Sequence, residues 1–213
     1  MAFDSASSVS HFAIVLAAGQ SSRMGQSKPG LPWLVGKRLL PWTMDTLSEE
    51  GWQPLAVVGP DHFDEWQAEL GPLRVVLNPH PELGKTTSLA AGVRALPSTA
   101  QWILLTSVDQ PRLPSLYRHL HHATAQTHGR ILVPDRAGRR GHPVVIAASL
   151  APELLELRES DHGLRGWLDR HDSQLVRLPG FSPESLAWDL NTPSDYANGL
   201  TYFQEQVLHS PED

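Results

Sequence analysis

The sequence predicts an α/β fold with a mostly parallel sheet covered by helices on both faces. Three observations carry this. Apolar runs of strand length recur along the chain. Several are apolar at nearly every position, as strands buried on both faces are. Between them lie segments with apolar residues at helical spacing, and strands that alternate with helices build parallel βαβ units.

The elements follow in order. A first strand is expected at 12–17 (FAIVLA), then a helix at 42–50 and a strand at 55–59 (LAVVG). A helix at 61–70, a strand at 73–77 and a helix at 87–96 come next. The strand at 102–106 (WILLT) precedes a helix at 115–127. Beyond it, strands at 130–133 and 143–147 and helices at 150–158 and 164–170 alternate less regularly, which suggests an inserted strand pair over one edge of the sheet. A short strand at 186–190 and a last helix from Pro193 complete the reading. Gly51, Pro60, Gly71-Pro72, Pro97, Pro111, Pro114 and Gly129 mark the joints. With 213 residues and no linker or repeat, one domain over 1–213 is expected, its ordered core about 11–206 and its ends frayed.

Composition narrows the function. The formal charge is −6, which argues against a surface built for non-specific nucleic-acid binding. The chain has no cysteine, so disulfides and thiolate metal sites are excluded. The polar start MAFDSASSVS lacks a basic leader pattern, and no stretch reaches the roughly 20 apolar residues of a membrane span. A cytoplasmic protein acting on small molecules, with neither nucleic acid nor membrane as partner, is the expectation.

In open α/β sheets ligands bind beyond the carboxyl ends of the strands. The first such loop reads VLAAGQSSRMGQSK, from Val15 to Lys28. Gly19 lets the backbone approach a ligand, successive N–H groups make an anion nest, and Arg23 and Lys28 add positive charge. A polyphosphate fits this chemistry; so does an ordinary solvated turn. No G-x-G occurs, so the dinucleotide fingerprint is missing. The GKT at 84–86 lacks the upstream glycine and strand of a P-loop.

Five stretches in register resemble the nucleotidyltransferases that build dinucleotide forms of the molybdenum cofactor, most of all the cytidylyltransferase branch. They are LAAGQSSRMGQSK, NPHPELGKTTSLAAGV (78–93), SVDQPRL (107–113), RRGHPVVI (139–146) and WDLNTPSDY (188–196). The sequence departs from the family pattern at Pro29-Gly30, Ser107-Val108 and Asn191. The resemblance implies a Rossmann-like, three-layer α/β/α nucleotidyltransferase fold. It implies Mg²⁺-dependent transfer of CMP from CTP to the terminal phosphate of molybdopterin, with release of pyrophosphate, and a recipient molybdoenzyme as a further partner. GTP as donor, a sugar or polyol phosphate as acceptor, and a nucleotide-binding maturation factor without turnover are the alternatives. The double alanine in LAAG favours the cytidylyl branch; Ala18 narrows the space near the base, though one methyl group is worth only about 1–3 kcal/mol of discrimination.

The resemblance also assigns residues. Arg23, Lys28 and Asp109 are the catalytic candidates. Leu16, Ala17, Ala18, Gly19, Ser21, Ser22, Arg23, Met24, Gly25, Lys28, Asn78 and Ser88 are candidates for the nucleotide. Asp109 follows a strand end and is the first metal candidate; Asp189 is the second, with Asn191 two residues on and expected on the same strand face. Thr192, Pro193 and Asp195 also read as a cap for the last helix. Gln110 and His142 are assigned to the acceptor, with Arg136, Arg139 and Arg140 nearby in sequence as partners for its phosphate, or equally as a solvated basic turn. His119 and His122 share a helical spacing but lack an acidic partner for a metal. The seven tryptophans are spread one per element and read as packing.

Overall fold

The computed structural model describes residues 10–19, 27–182 and 184–208. Ser21, Ser22, Arg23, Met24 and Gly25 lie outside the described residues, as do the chain ends at 1–9 and 209–213. Among the described residues there are eight strands: β1 Ser10–Leu16, β2 Gln53–Val58, β3 Val75–Leu77, β4 Ala100–Ser107, β5 Ile131–Arg136, β6 Arg139–Arg140, β7 Val144–Ala147 and β8 Leu175–Leu178. The α-helices are α1 Leu39–Glu49, α2 Phe63–Leu70, α3 Lys85–Arg94, α4 Pro114–Thr124, α5 Ala151–Leu154, α6 Gly163–Arg170 and α7 Pro193–Leu208.

The strand order is β3-β2-β1-β4-β7-β5-β6, with β8 on β5. β1 pairs parallel with β2 and β4, while β7 runs antiparallel between β4 and β5. In the second half β5 and β6 form an antiparallel pair at the edge of the sheet, while β7 lies inside it between β4 and β5. β8 was not anticipated: LVRL alternates too briefly to declare itself, and its pairing with β5 supplies the pattern.

Successive residues of the central strands face opposite layers. Ala13, Val15 and Leu104 pack toward α1, α4 and α7 with Leu47, Leu120 and Phe203. Ile14, Ile103 and Leu105 pack toward α3, α5 and α6 with Leu89, Leu154 and Trp167. Two cores on either side of one sheet explain the near-continuous apolar runs. Gly92 brings α3 close to the sheet; a Cβ there would sit 2.6 Å from Ile14 Cγ2. That approach holds the start of α3 beside the carboxyl ends of β1 and β4. Trp33, Trp42, Trp52, Trp66 and Trp167 are buried, as packing residues should be. Among the described residues no helix is long and apolar enough to cross a membrane.

The strand expected at 186–190 is not formed. Its backbone groups are engaged elsewhere: Leu190 N–H donates to Asp109 O at 2.8 Å, and Trp188 O accepts from Arg112. With no neighbouring strand to pair with, the segment is irregular.

Candidate active site

The strand order reverses between β1 and β4, so their outgoing loops diverge and leave a crevice. Leu16 O fixes its floor, accepting Val108 N–H at 3.0 Å. A cavity of about 160 Å³ opens there, lined by Leu16, Ala17, Ala18, Gly19, Lys28, Ser88 and Asp109 among others. Seven of the sequence candidates therefore meet in one place.

At its polar end Lys28 Nζ lies 2.9 Å from Asp109 Oδ2 and donates to Asn191 Oδ1 at 3.0 Å. Both partners of the ion pair are largely enclosed, with side chains 12% and 20% exposed. Burial opposes ionisation of Asp109, but the Ser107 hydroxyl and the Lys28 ammonium more than offset it and hold the carboxyl below its ordinary value. Asp109 Oδ1 is buried and has no hydrogen-bond partner among the described residues. Two oxygens that converge on a cation, beside a carboxylate oxygen left unpaired, suit a divalent ion that takes few protein ligands and completes its shell with phosphate and water. Among the described residues no three His, Cys, Asp or Glu gather as an all-protein metal site.

Asp189 and Asn191 do not share a face, since their segment is not a strand. Asn191 N–H donates to Asp189 O at 2.9 Å, a tight turn that sends the side chains to different partners. Asn191 reaches Lys28, whereas Asp189 Oδ1 accepts from Gln110 Nε2 at 2.7 Å. The capping reading holds as well: Asp195 Oδ2 accepts from Thr192 N–H at 2.8 Å, and Thr192 Oγ1 accepts from Asp195 N–H at 3.1 Å.

Asn78 is placed differently from expectation. It does not line the cavity; its Nδ2 donates to Thr87 Oγ1 and Ser88 Oγ at 2.9 and 2.8 Å, and its Oδ1 accepts from His80 N–H. It braces Ser88 instead of facing a ligand. The start of α3 is closed by a residue no sequence pattern flagged. Glu159 Oε1 accepts from Thr86 N–H at 2.8 Å. Gly84, at φ +110°, allows this, because a Cβ would stand 2.5 Å from that oxygen. A carboxylate thus occupies the helix N-terminus, where the backbone dipoles favour negative charge.

A second cavity of about 240 Å³ adjoins the first and shares Leu16, Lys85 and Ser107 with it. Gln110 and His142 line this second space, so the two acceptor candidates lie together. His142 is exposed at the mouth of this space, yet the surrounding protein and then the Arg112 guanidinium hold its imidazole below the ordinary value. Lys85 stands where the cavities meet and has no ion-pair partner among the described residues. In the sequence it stands only in the GKT at 84–86.

Arg112 was also missed, although it sits in the DQPRL element. It is 2% exposed. Its Nε donates to His142 O at 3.1 Å, and its Nη1 to Pro111 O and Trp188 O at 2.8 and 2.7 Å. One buried guanidinium joins the loops that carry Asp109, His142 and Asp189. The histidines of α4 make ring contacts: His119 packs edge-on to Phe181, and His121 lies against His11 with ring centroids 4.1 Å apart.

Comparison with known proteins agrees with this geometry. The family described as "MobA-like NTP transferase domain" matches residues 13–175. Nicotine blue oxidoreductase of Paenarthrobacter nicotinovorans is 31% identical over 84% of this chain and 91% of its own. The molybdenum cofactor cytidylyltransferase of Escherichia coli strain K12 is 27% identical over 90% of this chain and 96% of its own, and molybdenum cofactor guanylyltransferases match as well. Among solved structures, Rv0371c of Mycobacterium tuberculosis H37Rv superposes with a TM-score of 0.72 at 25% identity, covering 91% of this chain and 98% of that one. The crevice at the reversal of strand order and a family match over most of the chain lead to one conclusion: the protein belongs to the MobA-like NTP transferase domain family and is a nucleotidyltransferase.

Proposed function

We propose that the protein transfers CMP from CTP to the terminal phosphate of a molybdopterin cofactor and releases pyrophosphate. The observation that carries this is the Lys28–Asp109–Asn191 cluster at the mouth of the glycine loop. Phosphoryl-group transfer asks little covalent chemistry of a protein and much positioning and charge neutralisation, and the site holds groups for both.

Lys28 and, by the family resemblance, Arg23 neutralise the β- and γ-phosphates that leave. Ala17, Ala18 and Gly19 bring backbone to the nucleotide, and Ser88 presents its hydroxyl to the same cavity. Asp109 and Asn191 would hold Mg²⁺, which would supply neutralisation of phosphate charge there, with Asp189 held by Gln110 as the further candidate ligand. Gln110 and His142 contact the acceptor in the second cavity. Lys85, at the junction, lowers the repulsion between the attacking phosphate and the α-phosphate.

CTP is favoured over GTP by Ala18, which is 9% exposed and narrows the cavity. The guanylyltransferases among the relatives make GTP the principal alternative donor. A second reading, an oxidoreductase, draws on the relative of that name at 31% identity. It leaves the lysine–carboxylate cluster without a task.

The test measures pyrophosphate release by the purified chain with Mg²⁺ and molybdopterin, offering CTP, GTP, ATP and UTP in turn. Release with CTP alone, lost by about 10³-fold in Asp109→Ala, is expected. Release with GTP alone overturns the donor assignment. Oxidation of NADH or NADPH without pyrophosphate release overturns nucleotidyl transfer.

A further inference from the structure

We propose that Glu159 is a positioning residue for the transfer reaction: its carboxylate grips residues 84–86 and so fixes Lys85 where the two cavities meet. This rests on the reaction proposed above and adds to it a residue outside the five stretches of resemblance.

Glu159 holds the backbone on either side of Lys85. Its Oε1 accepts the N–H of Thr86, the residue after, at 2.8 Å. Its side chain lies flat on Gly84, the residue before: a Cβ there would stand 2.5, 2.6 and 2.7 Å from Glu159 Oε1, Cγ and Cδ. The same turn makes a third contact, since a Cβ on Gly163 would stand 3.3 Å from Thr86 Cγ2.

The turn that carries Glu159 is itself fixed. His162 N–H donates to Glu159 O at 3.1 Å, and Gly163 N–H donates to Arg158 O at 3.0 Å. Beyond it α6 buries Trp167 and Leu168 in the core that holds Leu89 of α3. The loop before α3 is closed on itself: Thr87 Oγ1 lies 2.8 Å from Gly84 O and 3.0 Å from His80 O, and Asn78 Nδ2 donates to it. Glu159 ties this loop to the wall that Gly163, Leu164 and Arg165 give the second cavity.

Lys85 is exposed, and its ammonium makes no ion pair among the described residues, Glu159 included. A point charge on a flexible stem neutralises a meeting pair of phosphates only when its backbone is held in place. A misplacement of about 1 Å can cost about 10²-fold in rate. Glu159 supplies the placement without quenching the charge, because it spends its oxygen on a backbone N–H and its stem on a glycine. Glu159 also lines the second cavity, so direct contact with the acceptor is the competing role.

The test measures pyrophosphate release at saturating CTP with molybdopterin varied, in Glu159→Ala, Glu159→Gln, Lys85→Ala and the double variant Lys85→Ala/Glu159→Ala. In Glu159→Ala, kcat is expected to fall about 10–100-fold with the acceptor KM within about twofold of wild type. Glu159→Gln keeps an accepting oxygen and the stem, and should restore kcat to within about threefold. In the Lys85→Ala background Glu159→Ala should cost nothing more. Hydrogen exchange of the Thr86 amide in the ligand-free chain should be slow in wild type and Glu159→Gln and fast in Glu159→Ala. A kcat for Glu159→Ala within about twofold of wild type, glutamine as slow as alanine, or equal exchange in all three overturns the proposal and leaves the transfer reaction intact. Losses that multiply in the double variant, or a raised acceptor KM, make Glu159 an acceptor contact and overturn it as well. Failure of the wild type to release pyrophosphate defeats the transfer reaction, and this role with it.

Discussion

Replacing Arg112 by methionine tests how the site is held together. Methionine keeps an unbranched stem but is shorter, and it removes three charged N–H donations, leaving the carbonyls of Pro111, His142 and Trp188 without these donors. An unsatisfied buried acceptor costs about 1–3 kcal/mol, so three at the low end amount to about 3 kcal/mol. Relief of the desolvated guanidinium offsets part of this, which leaves a net loss of about 2–3 kcal/mol. For a chain of this size each kcal/mol moves the melting midpoint by about 2–4 °C, giving a fall of about 5–10 °C. Arg112→Lys keeps the charge but not the fork, and is expected to lose about half as much. The second readout separates a site brace from a stability residue. The Trp188 carbonyl is next to Asp189, and the His142 carbonyl belongs to the acceptor loop, so both variants should lower kcat/KM by about 10–100-fold and weaken Mn²⁺ binding measured by electron paramagnetic resonance. Melting within about 2 °C of wild type, with unchanged Mn²⁺ affinity, refutes the reasoning.

Three further expectations follow from local geometry. Ala18→Gly removes the methyl that narrows the nucleotide cavity and should shift the ratio of kcat/KM for CTP over GTP toward GTP by about 10–200-fold; an unchanged ratio means that the base is selected elsewhere. Gly92→Ala forces a Cβ to 2.6 Å from Ile14 and should cost about 1–3 kcal/mol in urea denaturation, with no loss if α3 can lift from the sheet freely. Burial, with His122 alongside, lowers the His121 pKa below its reference value of 6.5, so the folded state resists a proton that the unfolded chain accepts. Stability should therefore decline as pH falls below about 6.5, and His121→Gln should flatten that decline in melts taken between pH 7.5 and 5.

How far the sequence was legible varies by element. Strands β1, β2 and β4 announce themselves because both faces are buried and nearly every residue is apolar. β8 and the segment at 186–190 were misjudged for one reason. LVRL and LAWDL are both short runs, and which of them pairs depends on the partner each finds. LVRL finds β5, while the backbone around Trp188 is taken by Arg112 and by the Asp109 loop. The α1 start at Leu39 precedes the expected 42 because Leu39 and Leu40 bury against the sheet, a tertiary gain that local spacing does not register. In the site, Lys28, Asp109, Asn191, Ser88, Gln110 and His142 were all in motifs. Asn78 was in a motif too, but its hydrogen bonds make it a brace.

By itself, the sequence determined the layered α/β architecture, the placement of a glycine loop after the first strand, and the chemical types gathered for a phosphate. Periodicity and residue chemistry are local properties, so they survive translation from sequence to fold. Only the tertiary structure decided that Asn191 reaches Lys28 while Asp189 turns to Gln110, that Glu159 closes α3, and that Arg112 binds three loops from within. Each of these depends on contacts between residues many positions apart. A buried arginine and a solvated one look the same in sequence; the difference is the set of carbonyls that folding brings within 3.1 Å.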